Sequence, residues 1–313
     1  MSKQWKMAFC GLGSIGSRHL RNLREILDNR GDTAEIDWIQ HENREIPEEF
    51  INTINNVYKY EDEIPNGYDV IFVTNSTYMH KAAIELLQWH TRALFIEKPL
   101  FAFAEENLNQ ENSDCIYYVA CPIRYKKVIQ YIKENVKKED ILSASAVCSS
   151  YLPEWRPNTD YRKCYSAIQQ KGGGVSLDLI HELDYLTYLL GDIDEIYNIR
   201  GKISPLEIDS DDVSVYIARI NNTVIQVYLD YFGRVDIRKL TLFTVEDTID
   251  IDLLNNSIEY LKEKKRIAFQ EQRDDFQKNE LCYFLDILEG KKVNTNDLEH
   301  ACKLFYNTFG RTE

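Results

Sequence analysis

The chain is short of the features that would place it in several functional classes. No apolar run approaches the ~20 residues that a membrane-spanning helix needs, so no transmembrane helix is expected. Cations are the minority charge: 37 Lys+Arg stand against 51 Asp+Glu, a net charge of -14, and no Lys/Arg-rich run occurs. A nucleic-acid backbone as the main partner is thereby disfavoured, since phosphate binding needs clustered cations. The seven cysteines, Cys10, Cys115, Cys121, Cys148, Cys164, Cys282 and Cys302, are odd in number and scattered, with no C-x-x-C pair. Neither a disulfide framework nor a cysteine metal site fits that pattern, whereas reduced thiols do. The opening residues carry no cleavable signal pattern, and a cytoplasmic location is the expectation. Internal repeats and low-complexity linkers are also missing.

What is present is ample material for a core: 44% apolar residues, with 20 Tyr and 13 Phe among 313. Such a length suggests two domains, and the pattern along the chain changes near Pro122. Before it, short apolar runs alternate with amphipathic ones. Lys6–Cys10, Ile36–Gln40, Asp69–Thr74, Ala93–Ile96 and Cys115–Ala120 read as strands, with helices after the first and over His80–Trp89. Strand, helix, strand, repeated, is the doubly wound parallel α/β pattern.

After it, Val128–Val136 reads as a helix and Ile141–Ser150 as a long strand. Four or five strand-like runs fill Glu195–Asp252, with Asn221-Asn222 as a hairpin turn, and helices over Phe269–Leu288 and Asp297–Thr308 close the chain. The expected architecture is a Rossmann domain over residues 1–122. It is followed by an α+β domain over 123–313 with a large, open, mostly antiparallel sheet for substrate binding and oligomerisation.

Three motifs carry chemistry. Gly11-Leu12-Gly13-Ser14-Ile15-Gly16 ends the first strand and opens the first helix. There glycines allow a tight turn, let a pyrophosphate approach the backbone, and aim the helix N-terminus at it. Gly11, Gly13, Ser14, Ile15 and Gly16 are therefore cofactor candidates. At the end of the second strand, where an acidic residue would bind the ribose of NAD, the chain reads His41-Glu42-Asn43-Arg44. Glu42 argues for NAD, His41 and Arg44 for the 2′-phosphate of NADP; the two readings stand about even.

Glu97-Lys98-Pro99 directly follows the buried strand Ala93–Ile96. Residues past the carboxyl ends of parallel strands line the ligand crevice, and a partly desolvated lysine there can donate a proton to a substrate oxygen. By position alone, Lys98 is equally well a surface lysine paired with Glu97. The third motif is Gly172-Gly173-Gly174 leading into a helix on which Asp178, His181 and Asp184 recur at three-residue spacing. Such spacing puts a carboxylate beside an imidazole, a workable acid/base unit. As an isolated motif it also reads as a polar helix face with a buried, satisfied histidine. No cysteine or second histidine lies at metal-ligand spacing, and no metal is expected.

Together, in this order and spacing, these motifs resemble the Gfo/Idh/MocA oxidoreductase family over essentially the whole chain. The resemblance implies a Rossmann domain for NAD or NADP and a second domain for a sugar or cyclitol, with Lys98 and His181 as catalytic residues. It places Thr74, Asn75 and His80 on the nicotinamide side, Glu97 and Lys98 beside them, and Ile123-Arg124-Tyr125 at the domain junction. Many members carry the aspartate four residues before the histidine, where this chain has Leu177; here Asp178 stands three before.

The segment Tyr151–Arg162 resembles members that act on nucleotide-activated or amino sugars. Trp155 is then a sugar-stacking candidate, and Arg156 or Arg162 a grip for a carboxylate or phosphate, the alternative being a Pro-bounded loop with Trp155 in the core. Arg124, Trp155, Arg156, Tyr165, Asp178, His181 and Lys98 are the substrate-side candidates. The expected function is NAD(P)-dependent hydride transfer at a secondary alcohol of a small sugar-like substrate, with a homodimer or homotetramer formed through the open sheet. The competing readings are a non-catalytic dinucleotide- or sugar-binding regulator of the same fold, and a reductase for a non-sugar substrate.

Overall fold

Strands whose every side chain is apolar need cover on both faces, and a parallel sheet between helices supplies it. In the computed structural model, which describes residues 2–41, 43–60 and 62–309, Val70–Val73 and Ala93–Ile96 are such strands, buried at every position. The elements in chain order are β1 (Gln4–Cys10), α1 (Ser14–Arg30), β2 (Thr33–Gln40), β3 (Ile54–Lys59), β4 (Val70–Val73), α2 (His80–Leu87), β5 (Ala93–Ile96), β6 (Ile116–Val119), α3 (Lys127–Asn135), β7 (Ile141–Tyr151), α4 (Val175–Asp178), α5 (His181–Leu190), β8 (Glu195–Gly201), β9 (Val213–Ile220), β10 (Thr223–Asp230), β11 (Phe232–Thr244), β12 (Thr248–Asp252), β13 (Ser257–Tyr260), β14 (Lys265–Ala268), α6 (Asp275–Leu288) and α7 (Leu298–Asn307).

The chain divides into two compact units. Met1–Ala120 with Gln277–Ala301 forms the first, and Cys121–Phe276 with Cys302–Glu313 the second. In the first, six parallel strands run in the order β3-β2-β1-β4-β5-β6. This is the doubly wound Rossmann order, with its switch point between β1 and β4, where Cys10 lies beside Val73. An aromatic column holds one face: Phe9 stacks on Phe72 at 4.4 Å, and Phe284 of α6 meets Phe95 and Tyr118 at 5.2 Å each. Sequence periodicity gives no sign of β3, an edge strand whose pattern Ile54-Asn55-Asn56-Val57-Tyr58-Lys59 buries little besides Ile54.

The second unit is built on an eight-stranded sheet, β14-β13-β12-β11-β7-β10-β9-β8, antiparallel except where β7 runs parallel to β10. Asn221-Asn222 makes the β9–β10 turn, with Ile220 paired to Thr223 and Asn221 at φ 53°. One face, with Ala144, Ile225, Val227, Leu240 and Leu242, is buried in one cluster with Leu183 and Leu186 of α5. The other face leaves Tyr197, Ile217, Val224 and Phe243 exposed on four strands.

Two expectations change. The residues 269–274 precede α6 instead of opening it. The helix expected to carry Asp178, His181 and Asp184 is two helices, α4 and α5, broken at Leu179 (φ −102°, ψ 26°). No glycine or proline stands at the break, so packing, not propensity, sets it. Among the described residues no helix is long and apolar enough to cross a membrane.

Candidate active site

In the first unit, the turn from β1 into α1 assigns each glycine a separate task. Gly11 sits at φ +101°, and a Cβ there would lie 2.7 Å from Asn75 N. A Cβ on Gly16 would lie 2.3 Å from Gly11 O, so this glycine lets the helix close onto the strand. Gly13 is exposed, and a Cβ there would meet nothing within 4 Å. It caps α1 without a side-chain bond, and no acidic residue occupies the first turn. The first helical bond runs from Ser17 N to Gly13 O, which leaves the amides of Ser14, Ile15 and Gly16 outside the ladder.

Across the switch point, Thr74 Oγ1 donates to Gly11 O at 2.6 Å and fixes the turn. Asn75 donates its amide to Tyr60 Oη at 3.0 Å, while its buried Oδ1 has no hydrogen-bond partner among the described residues. Tyr60 in turn lies 2.8 Å from Cys10 Sγ, and burial pushes the Cys10 thiol up to about 12. Tyr60 was not anticipated; it reaches the site from beyond β3, at a distance in sequence that no local motif spans. An open backbone cradle, free amides at a helix N-terminus and an orphaned amide oxygen together fit a dinucleotide.

At the end of β2, His41 is exposed and stands edge-on to Tyr60 at 5.5 Å. Arg44, also exposed, donates its backbone N–H to Gln40 Oε1 at 2.9 Å. Glu42 lies outside the described residues.

Lys98 is half-buried just past β5. Its neighbour Glu97, expected beside the cofactor, is buried, and its carboxylate meets His19 Nε2 of α1. His80, also expected on the nicotinamide side, is buried as well. Its Nδ1 lies 3.0 Å from Pro99 O and its Nε2 3.2 Å from Asn75 O. Both side chains are thus turned to protein groups.

In the second unit, Asp178 is buried and accepts the hydroxyl of Tyr231 at 2.5 Å. Tyr165, half-buried, is a second hydrogen-bond partner of Asp178. Burial first, and the Asp178 charge second, push both phenols well above their usual value, so both remain donors. Trp155 stands edge-on to Tyr231 at 5.1 Å, and the Arg156 guanidinium lies 5.7 Å over the Tyr165 ring. Trp155, Arg156, Thr159, Tyr161 and Ser166 line one small, shallow, open cleft. Trp155 is 37% exposed and so does not fill a core position. Arg162 is committed to Asp160 and Glu207, which leaves Arg156 as the cleft's cation.

His181 opens α5 and is buried. Asp184, expected on its face, is instead gripped by Arg124 through two bonds, Nε to Oδ2 at 2.8 Å and Nη2 to Oδ1 at 2.5 Å. Both side chains are 1% exposed or less. Arg124, a substrate-side candidate, is thus buried and paired within this unit. Glu182, beside His181, is held the same way by Arg238 of β11, an ion pair absent from the sequence reading.

Residues 5–113 match the family model GFO_IDH_MocA, described as "Oxidoreductase family, NAD-binding Rossmann fold". Over these residues, roughly a third of the chain, the protein is similar to the Gfo/Idh/MocA oxidoreductase family. A 2,7-anhydro-N-acetylneuraminate hydratase of Escherichia coli (strain K12) is 23% identical over 137 residues, 42% of this chain and 36% of that protein. The match thus spans about a third of the relative's length. Among solved structures, a levoglucosan dehydrogenase in complex with NADH superposes with a TM-score of 0.79 at 15% identity, covering 98% of this chain and 95% of the other. The UDP-N-acetylglucosamine 3-dehydrogenase GnnA from Acidithiobacillus ferrooxidans gives 0.72 at 16%, covering 98% and 96%. At such identities the likeness to these structures is one of fold.

Proposed function

We propose that the chain is an NAD(H)-dependent dehydrogenase that acts on a secondary alcohol of a sugar or sugar derivative. The observation that carries the reading is the open cradle at Gly13, set at the switch point of a sheet whose next strand end presents the half-buried Lys98. The family match and the NADH held by a neighbour of the same fold support the cofactor. When bound, the nicotinamide supplies the hydride chemistry. The protein's part is proton movement and position: His181 takes the substrate hydroxyl proton, and Lys98 hydrogen-bonds the same oxygen and stabilises its developing charge. Asp178, held by Tyr231 and Tyr165, orients the substrate through Tyr165. Trp155 offers a stacking surface, and Arg156 a site for an anionic substituent.

The ribose is read at His41, Glu42 and Arg44, with NAD(H) preferred. Two copies pair through the exposed face of the eight-stranded sheet.

The test is turnover of sugar alcohols with NAD+ by wild type and by Lys98→Met. Loss of turnover with cofactor affinity retained supports the reading, and wild-type rates in Lys98→Met refute it.

A further inference from the structure

A lysine amine sits at the end of a four-carbon stem, so its position depends on how firmly the backbone at its Cα is held. Displacement by about 1 Å in a reacting centre costs on the order of 10²-fold in rate. The segment bearing Lys98 is held on both sides by buried histidines. On the N-terminal side, Glu97 meets His19 Nε2. His19 is fully buried on α1, three residues past Gly16, with its ring edge-on to Phe95 at 5.1 Å. On the C-terminal side, Pro99 O lies 3.0 Å from His80 Nδ1, on the first residue of α2.

Neither histidine is explained by packing. A buried imidazole is costly unless its nitrogens are satisfied. Yet His19 Nδ1 has no hydrogen-bond partner among the described residues. The surroundings of His80 hold it below its usual pKa through burial, and a neutral ring has one N–H for the two carbonyls it faces. The shorter of the two contacts is the one between Nδ1 and Pro99 O. Each ring therefore tolerates an imperfect site while keeping one contact, and in both cases that contact is to a residue adjacent to Lys98.

We propose that His19 and His80 are positioning residues that clamp Glu97-Lys98-Pro99 from its two sides and set the Lys98 amine in place. His19 also ties that segment to the helix whose N-terminus forms the glycine cradle. The inference rests on the proposed role of Lys98 for its effect on turnover, but the clamp itself is measurable without any substrate.

The two contacts use different ring nitrogens, which gives the test its discrimination. An asparagine amide occupies the place of Nδ1 and a glutamine amide that of Nε2. His80→Asn and His19→Gln keep the contacting atom; His80→Gln and His19→Asn keep the polarity and move the atom. Hydrogen–deuterium exchange over residues 96–101 reads the clamp, with calorimetric NADH affinity and kcat read on the same four variants.

The expected result is exchange faster by about tenfold or more in His80→Gln and His19→Asn, with exchange close to wild type in the other pair. The kcat of the faster-exchanging pair falls about tenfold or more, with KM and NADH affinity within about threefold of wild type. Equal exchange across all four variants overturns the clamp. Faster exchange with unchanged kcat overturns its role in placing Lys98. If wild-type protein turns over no sugar alcohol but exchange follows the predicted pattern, the clamp stands and the dehydrogenase reading is what fails.

Discussion

Tyr231 and Asp178, 53 positions apart, share a hydrogen bond of 2.5 Å inside the second unit. The phenol is fully buried, and with its pKa raised by burial and by the neighbouring carboxylate it stays a donor across the accessible pH range. Tyr231→Phe removes one hydrogen bond from the buried Asp178 carboxylate, which costs about 1–3 kcal/mol. The expected outcome is a lowered denaturation midpoint together with lower kcat, because Asp178 loses one of the groups that orient it. An unchanged midpoint would show that the bond contributes nothing.

Arg124 and Asp184 form a buried, two-bond pair, and removing one partner strands the other charge. Arg124→Met is expected to cost about 3–5 kcal/mol of unfolding free energy, read by urea denaturation. Adding Asp184→Asn should recover part of that loss. A variant of unchanged stability with a raised KM would instead make Arg124 a substrate contact.

The glycine turn separates binding from folding. Gly13 has an ordinary φ of −74° and open space where a Cβ would go, so Gly13→Ala should melt like wild type. Its methyl group enters the cradle, however, and NADH affinity should fall by about tenfold or more, roughly 1.4 kcal/mol. Gly16→Ala should lose both, since its Cβ would lie 2.3 Å from Gly11 O. Equal NADH affinity in Gly13→Ala and wild type would place the dinucleotide elsewhere.

His80 gives a pH dependence of known sign. Burial lowers its folded-state pKa against the usual 6.5, while its backbone partners and Glu97 oppose the shift. Below about pH 6.5 the unfolded chain binds a proton that the folded one does not, so stability falls with falling pH until the folded pKa is passed. His80→Asn should flatten that slope in urea unfolding measured from pH 7 down to 5. A slope unchanged by the substitution would mean that folding does not lower the His80 pKa.

Much of this was legible in the sequence. Glycine spacing, the buried runs of β4 and β5 and the position of Glu97-Lys98-Pro99 all depend on local rules, and each lies where those rules place it. What escaped depends on distant chain. Three-residue spacing suggested one helix face for Asp178, His181 and Asp184, but Tyr231 holds Asp178, Arg124 holds Asp184, and a break at Leu179 falls between them. Tyr60 and Arg238 lie far in sequence from the groups they touch, and β3 is too polar to announce itself as a strand.

The exposed face of the eight-stranded sheet carries Tyr197, Ile217, Val224 and Phe243, each 45% exposed or more, with Tyr197 paired directly to Ile217. Buried in a symmetric contact, this face would make the protein a dimer or tetramer by light scattering. Ile217→Glu should then shift it toward monomer. A wild-type protein that is monomeric at all concentrations contradicts the pairing.

The central claim, a nicotinamide dinucleotide held at the β1–α1 turn, is tested most directly by calorimetric titration of the purified protein with NADH and, separately, NADPH. The account predicts saturable binding of NADH, with NADPH weaker by about tenfold or more, or 1.4 kcal/mol. No binding of either at millimolar concentration would contradict it.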